Sequence, residues 1–206
     1  MEREVYFSRD YDTKERFCSY WHQIDEVVKL EPGSVLEVGP GNGFVAEYLR
    51  SRGIDLVTVD SDPSLRPDVT GTVIRMPFKD ESFDVVTCCE VLEHIPYDSF
   101  QMALSEVHRV CRSWVVLSLP DKRRKIHIGF RSDRLGYFRA VLRAPRLSDP
   151  AHRFDGQHYW EIGKASYPLR RVLEDIESAG FAVRSSYFVP ENPYHIFFVL
   201  RKTRIG

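Results

Sequence analysis

Two stretches of this 206-residue chain hold residue types that can do chemistry together. The first is Val35-Leu36-Glu37-Val38-Gly39-Pro40-Gly41-Asn42-Gly43: an apolar run, an acid near its end, then glycines at alternate positions. Alternate glycines let a turn take positive φ and bring backbone close to a bound molecule. A helix beginning at Phe44 and stopped by Gly53 would aim its unpaired N–H groups at that molecule. The second stretch is Glu90-Val91-Leu92-Glu93-His94. Residues i, i+3 and i+4 share a helix face, so on a helix opening here Glu90, Glu93 and His94 would converge. Two carboxylates and an imidazole suit a divalent ion such as Mg²⁺ or Mn²⁺. The same acids in a first turn also stabilise the helix dipole with no metal at all. His94 alone has the pKa range of a general base.

Both stretches need a scaffold, and the chain alternates strand and helix patterns around them. Residues 1–12 read as irregular. Thr13 to Leu30 carries Phe17, Tyr20, Trp21, Ile24, Val27 and Val28 at three- and four-residue spacing, an amphipathic helix ended by Glu31-Pro32-Gly33. A second strand, Leu56 to Val59, ends at Asp60, about twenty residues past the glycine turn, where a carboxylate can accept hydrogen bonds from both hydroxyls of a ribose. A solvent-facing acid at a strand end is the plainer alternative. Residues 66–78 read as a loop, a short third strand and a turn. Phe83 to Cys88 is apolar on both faces, as a buried parallel strand is. Ligands of open α/β sheets sit beyond the carboxyl ends of the strands, so Cys89 and Glu90 border the site. A helix over Ser99 to Cys111 and a fifth strand over Trp114 to Leu119 follow. The chain closes with a helix over Ser166 to Ala179 and strands over Phe181 to Phe188 and Tyr194 to Leu200. Two final strands without a helix between them imply an antiparallel hairpin.

Composition bounds the class. With 43% hydrophobic and 29% charged residues the chain reads as one ordinary globular domain. No apolar run is long enough to span a membrane, and no leader pattern opens the chain. Four cysteines without C-x-x-C spacing read as reduced thiols of a cytoplasmic protein. The net charge of −1 hides an asymmetry: residues 121–146 hold nine Lys/Arg against two Asp, a local +7. Within it Phe130, Leu135, Tyr137, Phe138, Val141 and Leu142 are interleaved with arginines. Arg134 to Arg143 reads as a short basic amphipathic helix, suited to a lid, an anionic membrane surface or a polyanionic substrate. A solvated loop packed by its aromatics is the alternative.

The string from Val35 to Gly43, with Glu37 as its acid, resembles the cofactor loop of class I S-adenosylmethionine-dependent methyltransferases. Met76-Pro77-Phe78-Lys79-Asp80-Glu81-Ser82-Phe83-Asp84-Val85-Val86 resembles the strand-three-to-four region of the methyltransferase type 11 group. The resemblance covers residues 33–119 by motif and 166–201 by architecture, and leaves 120–160 unexplained. It implies an α/β, Rossmann-like fold with a seven-stranded, mostly parallel sheet, helices on both faces and a C-terminal antiparallel hairpin. One domain over residues 1–206 would then carry a leading helix (13–30) and a basic acceptor-side insertion (120–160).

The resemblance further implies S-adenosylmethionine as methyl donor and S-adenosylhomocysteine as product. Glu37, Gly39, Pro40, Gly41, Gly43, Asp60 and Ser61 would hold the cofactor, with Met76 as an apolar wall and Cys89 and Glu90 at its methionine end. Thr72 departs from the pattern, standing where the group commonly has an acid near the adenine amino group. Glu90-x-x-Glu93-His94 resembles a segment of two metal-using O-methyltransferase groups, those of small-RNA ribose 2′-hydroxyls and of ubiquinone biosynthesis. By that likeness Glu90, Glu93, His94 and His158 form a candidate Mg²⁺ set, with His152 and His127 as weaker fourth ligands. Without metal, His94, His158 and Glu90 remain the catalytic candidates. The implied acceptor is a hydroxyl of a small molecule or lipid-like metabolite. RNA 2′-O-methylation and a non-catalytic cofactor-binding module are the alternatives; a nicotinamide enzyme is disfavoured by Phe44, where a dinucleotide fingerprint needs glycine.

Overall fold

The computed structural model describes residues 3–134, 136–145 and 148–203, without the side chains of His127, Arg131, Tyr137, Arg139 and Arg143. Leu135 and Arg146 of the basic segment, and those five side chains, lie outside the described residues.

Apolar pairs of adjacent residues build the sheet. Val35 and Leu36, Val85 and Val86, Val116 and Leu117, and Phe197 and Phe198 are all buried, and consecutive strand residues face opposite sides. Such strands need cover on both faces. Val35, Val85, Val116 and Phe197 pack against α2 (Lys14–Lys29) and α3 (Phe44–Ser51). Leu36, Val86, Leu117 and Phe198 pack against α4 (Phe100–Val110) and α5 (Leu169–Ser178).

The sheet has seven strands: β1 (Ser34–Val38), β2 (Asp55–Asp60), β3 (Val69–Thr70), β4 (Phe83–Cys89), β5 (Cys111–Pro120), β8 (Phe181–Val189) and β9 (Asn192–Lys202). Their order is β3-β2-β1-β4-β5-β9-β8. The first five are parallel, and β9 runs antiparallel to both β5 and β8. This is the expected mostly parallel architecture with its terminal hairpin. The chain reverses between β1 and β4, so the carboxyl ends of β1, β2 and β4 open on one crevice.

Three local expectations are overturned. Residues Arg3–Tyr6 form a short helix, α1, within the segment read as irregular. Glu90 does not open a helix: it sits at φ 58°, and only a 3₁₀ turn follows at Leu92–His94. Pro96 forces Ile95 into extended backbone (φ −115°, ψ 152°), and the helix starts afresh at Phe100. Nor is Arg134 to Arg143 helical. β6 (Lys125–Ser132) and β7 (Gly136–Arg143) form a separate two-stranded antiparallel sheet. Ile126, Ile128 and Phe130 alternate with period two, and Gly136 at φ 74° makes the reversal.

The insertion is closed at its base. The amide of Lys122 donates to the Ile162 carbonyl (2.8 Å) and that of Ile162 to the Pro120 carbonyl (3.0 Å). Trp160, fully buried, donates its indole N–H to the Leu92 carbonyl (3.0 Å). These bonds hold residues 158–161 against the segment that carries Glu93 and His94.

Candidate active site

A cleft of about 760 Å³ runs along the carboxyl edge of the sheet. At one end lie Glu37, Gly39, Pro40, Gly41, Asp60 and Ser61; at the other lie Glu93, His94, His158, Tyr159, Tyr194 and His195.

The glycine turn is set by backbone bonds. Gly39 donates to the Val59 carbonyl and Gly43 to that of Pro40, both at 2.9 Å. A Cβ on Gly39 (φ 70°) would stand 2.5 Å from Val91 Cγ2, so the turn packs directly on the loop after β4. A Cβ on Gly41 would meet the Tyr6 ring at 3.3 Å. The segment before α2 therefore lies over the turn. Gly43 caps α3 and does not line the cleft.

Glu37 is buried at the end of β1, and its Oε2 has no hydrogen-bond partner among the described residues. Burial pushes its carboxyl up to about 8. Asp60 Oδ1 accepts from the Asp62 amide (2.8 Å), and partial burial raises its pKa. An orphaned buried acid and a strand-end carboxylate facing one cleft are groups a ligand with N–H and O–H donors would satisfy. Met76 is corrected: 3% exposed, it packs in the core, and Thr72, Val73 and Ile74 line the cleft there instead. The Met76 amide donates to the Glu106 carboxylate (2.6 Å).

Cys89 lines the cleft, but burial raises its thiol well above the ordinary value, which leaves it a poor nucleophile. Glu90 beside it pairs with Arg16 from α2 (2.9 Å). Its other oxygen lies 3.4 Å from His195 Nδ1, close but without hydrogen-bond geometry. Glu90 thus ties α2 to the cleft, apart from the Glu93, His94 and His158 group.

Glu93, His94 and His158 do come together, each offering a donor atom within 4.8 Å of the others. Glu93 is fully buried, neither of its carboxylate oxygens has a hydrogen-bond partner among the described residues, and burial raises its pKa well above the usual range. His94 Nδ1 lies 3.1 Å from the Gln157 carbonyl oxygen. That oxygen only accepts, so Nδ1 carries the proton and Nε2 keeps its lone pair. Burial lowers the pKa of His94, which favours the neutral ring. His158 packs edge-on at 5.1 Å between centroids. It is held from behind by Glu161 Oε1 and the Tyr194 hydroxyl, each 3.3 Å from its Nδ1. Tyr194 also donates to Glu161 (2.7 Å). His152 binds the His158 carbonyl through Nε2 (2.9 Å) and takes a supporting place; the His127 side chain lies outside the described residues.

Sequence reasoning missed Arg16, Tyr6, Tyr11, Tyr194 and His195. A signal existed for the first: Ser19 and Gln23 are buried polar residues on the inward face of α2, where a helix that merely packs would be apolar. Tyr194-His195, polar residues at the start of an apolar strand, gave no comparable signal.

Comparison with known proteins fits this geometry. Residues 36–118 match the type 11 methyltransferase-domain family. The ubiquinone biosynthesis O-methyltransferase of Hahella chejuensis is 35% identical over 35% of this chain and 37% of its own length. An uncharacterized methyltransferase of Mycobacterium sp. (strain KMS) is 34% identical over 49% of this chain and 43% of its own. The chain thus spans about two-fifths of these relatives. The 1,6-didemethyltoxoflavin-N1-methyltransferase of Burkholderia thailandensis, solved with bound 1,6-didemethyltoxoflavin and S-adenosylhomocysteine, aligns over 98% of this chain and 85% of that one. Its TM-score is 0.61 at 17% identity, a likeness of fold. Residues 36–118 are therefore a methyltransferase domain of the type 11 family, set in the fold of the class I S-adenosylmethionine-dependent methyltransferases.

Proposed function

We propose that this chain methylates a hydroxyl group of a small-molecule or lipid-like acceptor, with S-adenosylmethionine as donor. The observation that carries the reading is the continuity of one cleft from Glu37 and Asp60 to His94 and His158. Glu37, Gly39, Pro40, Gly41, Asp60 and Ser61 would hold the cofactor, whose sulfonium methyl is the electrophile. The unpartnered Glu37 Oε2 and the strand-end Asp60 fit its amine and hydroxyl donors. Methyl transfer is an in-line displacement, so the protein chiefly aligns the reactants and excludes water. His94 Nε2 would accept the acceptor's proton as its oxygen attacks. Gln157 fixes the tautomer, and Glu161 with Tyr194 fixes His158 at the same mouth.

A metal-assisted form of the same reaction is favoured by one observation, the unpartnered, fully buried carboxylate of Glu93 beside His94 and His158. Two imidazoles and one carboxylate fit a borderline ion such as Mn²⁺ better than Mg²⁺, which prefers oxygen ligands. Such an ion would lower the pKa of a bound hydroxyl.

The test incubates the protein with methyl-labelled S-adenosylmethionine and an extract of its source cells, with and without Mn²⁺, and separates lipid, small-molecule, RNA and protein fractions. Label in the lipid or small-molecule fraction, lost with Asp60→Ala, supports the reading. RNase-sensitive label would move the acceptor to RNA. Failure to bind S-adenosylhomocysteine by calorimetry would overturn the reading as a whole.

A further inference from the structure

No described residue of the β6–β7 hairpin lines the cleft, and none of them is buried. Its register pairs Ile126 with Leu142, Ile128 with Ala140 and Phe130 with Phe138. Residues paired across strands share a face, and so do alternate residues along a strand. Ile126, Ile128, Phe130, Phe138 and Leu142 therefore form one apolar face, with Phe130 52% and Phe138 59% exposed. An isolated two-stranded ribbon is marginal in water. A contiguous exposed apolar face on one marks a surface that meets something.

Charge decides what it meets. The segment 121–146 carries +7 in a chain of net −1. A second copy seated on this face would bring another strongly cationic segment against it. An anionic surface would neutralise it. Arg124, just before β6, and Arg134, in the turn after it, are exposed. Three of the five side chains, Ile126, Ile128 and Leu142, give bases nothing to stack on, whereas all five enter the acyl boundary of a bilayer.

We propose that the hairpin seats the protein on an anionic lipid bilayer, its apolar face in the interface and its cationic residues among the headgroups. The contact is peripheral, since no helix among the described residues is long and apolar enough to cross a membrane. The base of the hairpin is fixed near the acceptor end of the cleft. The Asp121 amide donates to the Tyr194 carbonyl (2.7 Å), and Tyr194 holds Glu161. The docked protein would therefore present that mouth close to the lipid surface. The inference stands on the hairpin alone and does not depend on the methyl-transfer reading.

The test is co-sedimentation of the full chain with vesicles of phosphatidylcholine alone, or of phosphatidylcholine with one quarter phosphatidylglycerol. Binding to the anionic vesicles should exceed binding to the neutral ones by about tenfold or more and weaken with salt. Phe130→Ser with Phe138→Ser, and separately Arg124→Glu with Arg134→Glu, should each lose about tenfold while the thermal midpoint holds. Equal partition onto both vesicles, or undiminished binding by both variants, would overturn the proposal. So would a dimer that the Phe130/Phe138 variant converts to monomer, or hairpin-dependent binding of a single-stranded oligonucleotide without vesicle binding.

Discussion

Arg16 of α2 and Glu90 at the end of β4 meet at 2.9 Å, 74 residues apart in sequence. The same guanidinium donates through Nε to the Tyr11 carbonyl (3.0 Å). One planar fork thus fastens the N-terminal segment to the side chain of Glu90, whose backbone is left-handed (φ 58°). Arg16→Ala would leave a half-buried carboxylate without its partner. We expect a loss of about 1–3 kcal/mol in urea denaturation and about tenfold weaker S-adenosylhomocysteine binding. Arg16→Lys should restore only part of either, because an ammonium cannot reproduce the two-directional fork.

Glu37 should make the cofactor-free protein pH-sensitive. Burial raises its pKa from 4.5 to about 8, so the folded state takes up a proton that the unfolded chain releases. Its contribution is fully present below pH 4.5 and is lost as pH rises through about 8. Cofactor-free Glu37→Gln should therefore be more stable than wild type by on the order of 4 kcal/mol at pH 8, shrinking to about 1 kcal/mol at pH 5. It should also bind S-adenosylhomocysteine more than about tenfold less tightly. A Gln variant no more stable at pH 8 would show that Glu37 is solvated.

His94 should set the low-pH limb of the reaction. Burial lowers its pKa below 6.5, so turnover should rise through a value under that figure and stay flat at neutral pH. The same shift adds stability that is present above pH 6.5 and lost as pH falls through the lowered value. His94→Gln should cut kcat by about 10²–10⁴ and leave S-adenosylhomocysteine binding within about twofold. A variant that keeps its kcat would remove His94 from the chemistry.

The two ends of the glycine turn should respond differently to alanine. At Gly43 (φ 79°) a Cβ meets nothing within 4 Å, so Gly43→Ala carries only the left-handed backbone cost of about 1–2 kcal/mol. At Gly39 the new Cβ stands 2.5 Å from Val91 Cγ2. Gly39→Ala must move the loop that leads to Glu93 and His94, and should lose both stability and turnover. Thermal melts of the two variants, with activity measured on each, check this.

The sequence by itself determined the sheet and its crevice. Paired apolar residues such as Leu36 with Val35 and Phe198 with Phe197 require cover on both faces. The absence of a helix between β8 and β9 requires an antiparallel end. The glycine string and Asp60 fell where local rules place them, because turn chemistry acts over a few residues. Tertiary structure alone decided the mouth of the cleft. Helical spacing predicted that Glu90 joins Glu93 and His94, but Pro96 breaks the helix, and Arg16 draws Glu90 away. His158 reaches His94 because Trp160 is buried against Leu92, and Tyr194 reaches Glu161 because β9 lies beside β5. These contacts join residues 33 to 74 positions apart through ion pairs, hydrogen bonds and core packing, and no local periodicity encodes such pairs.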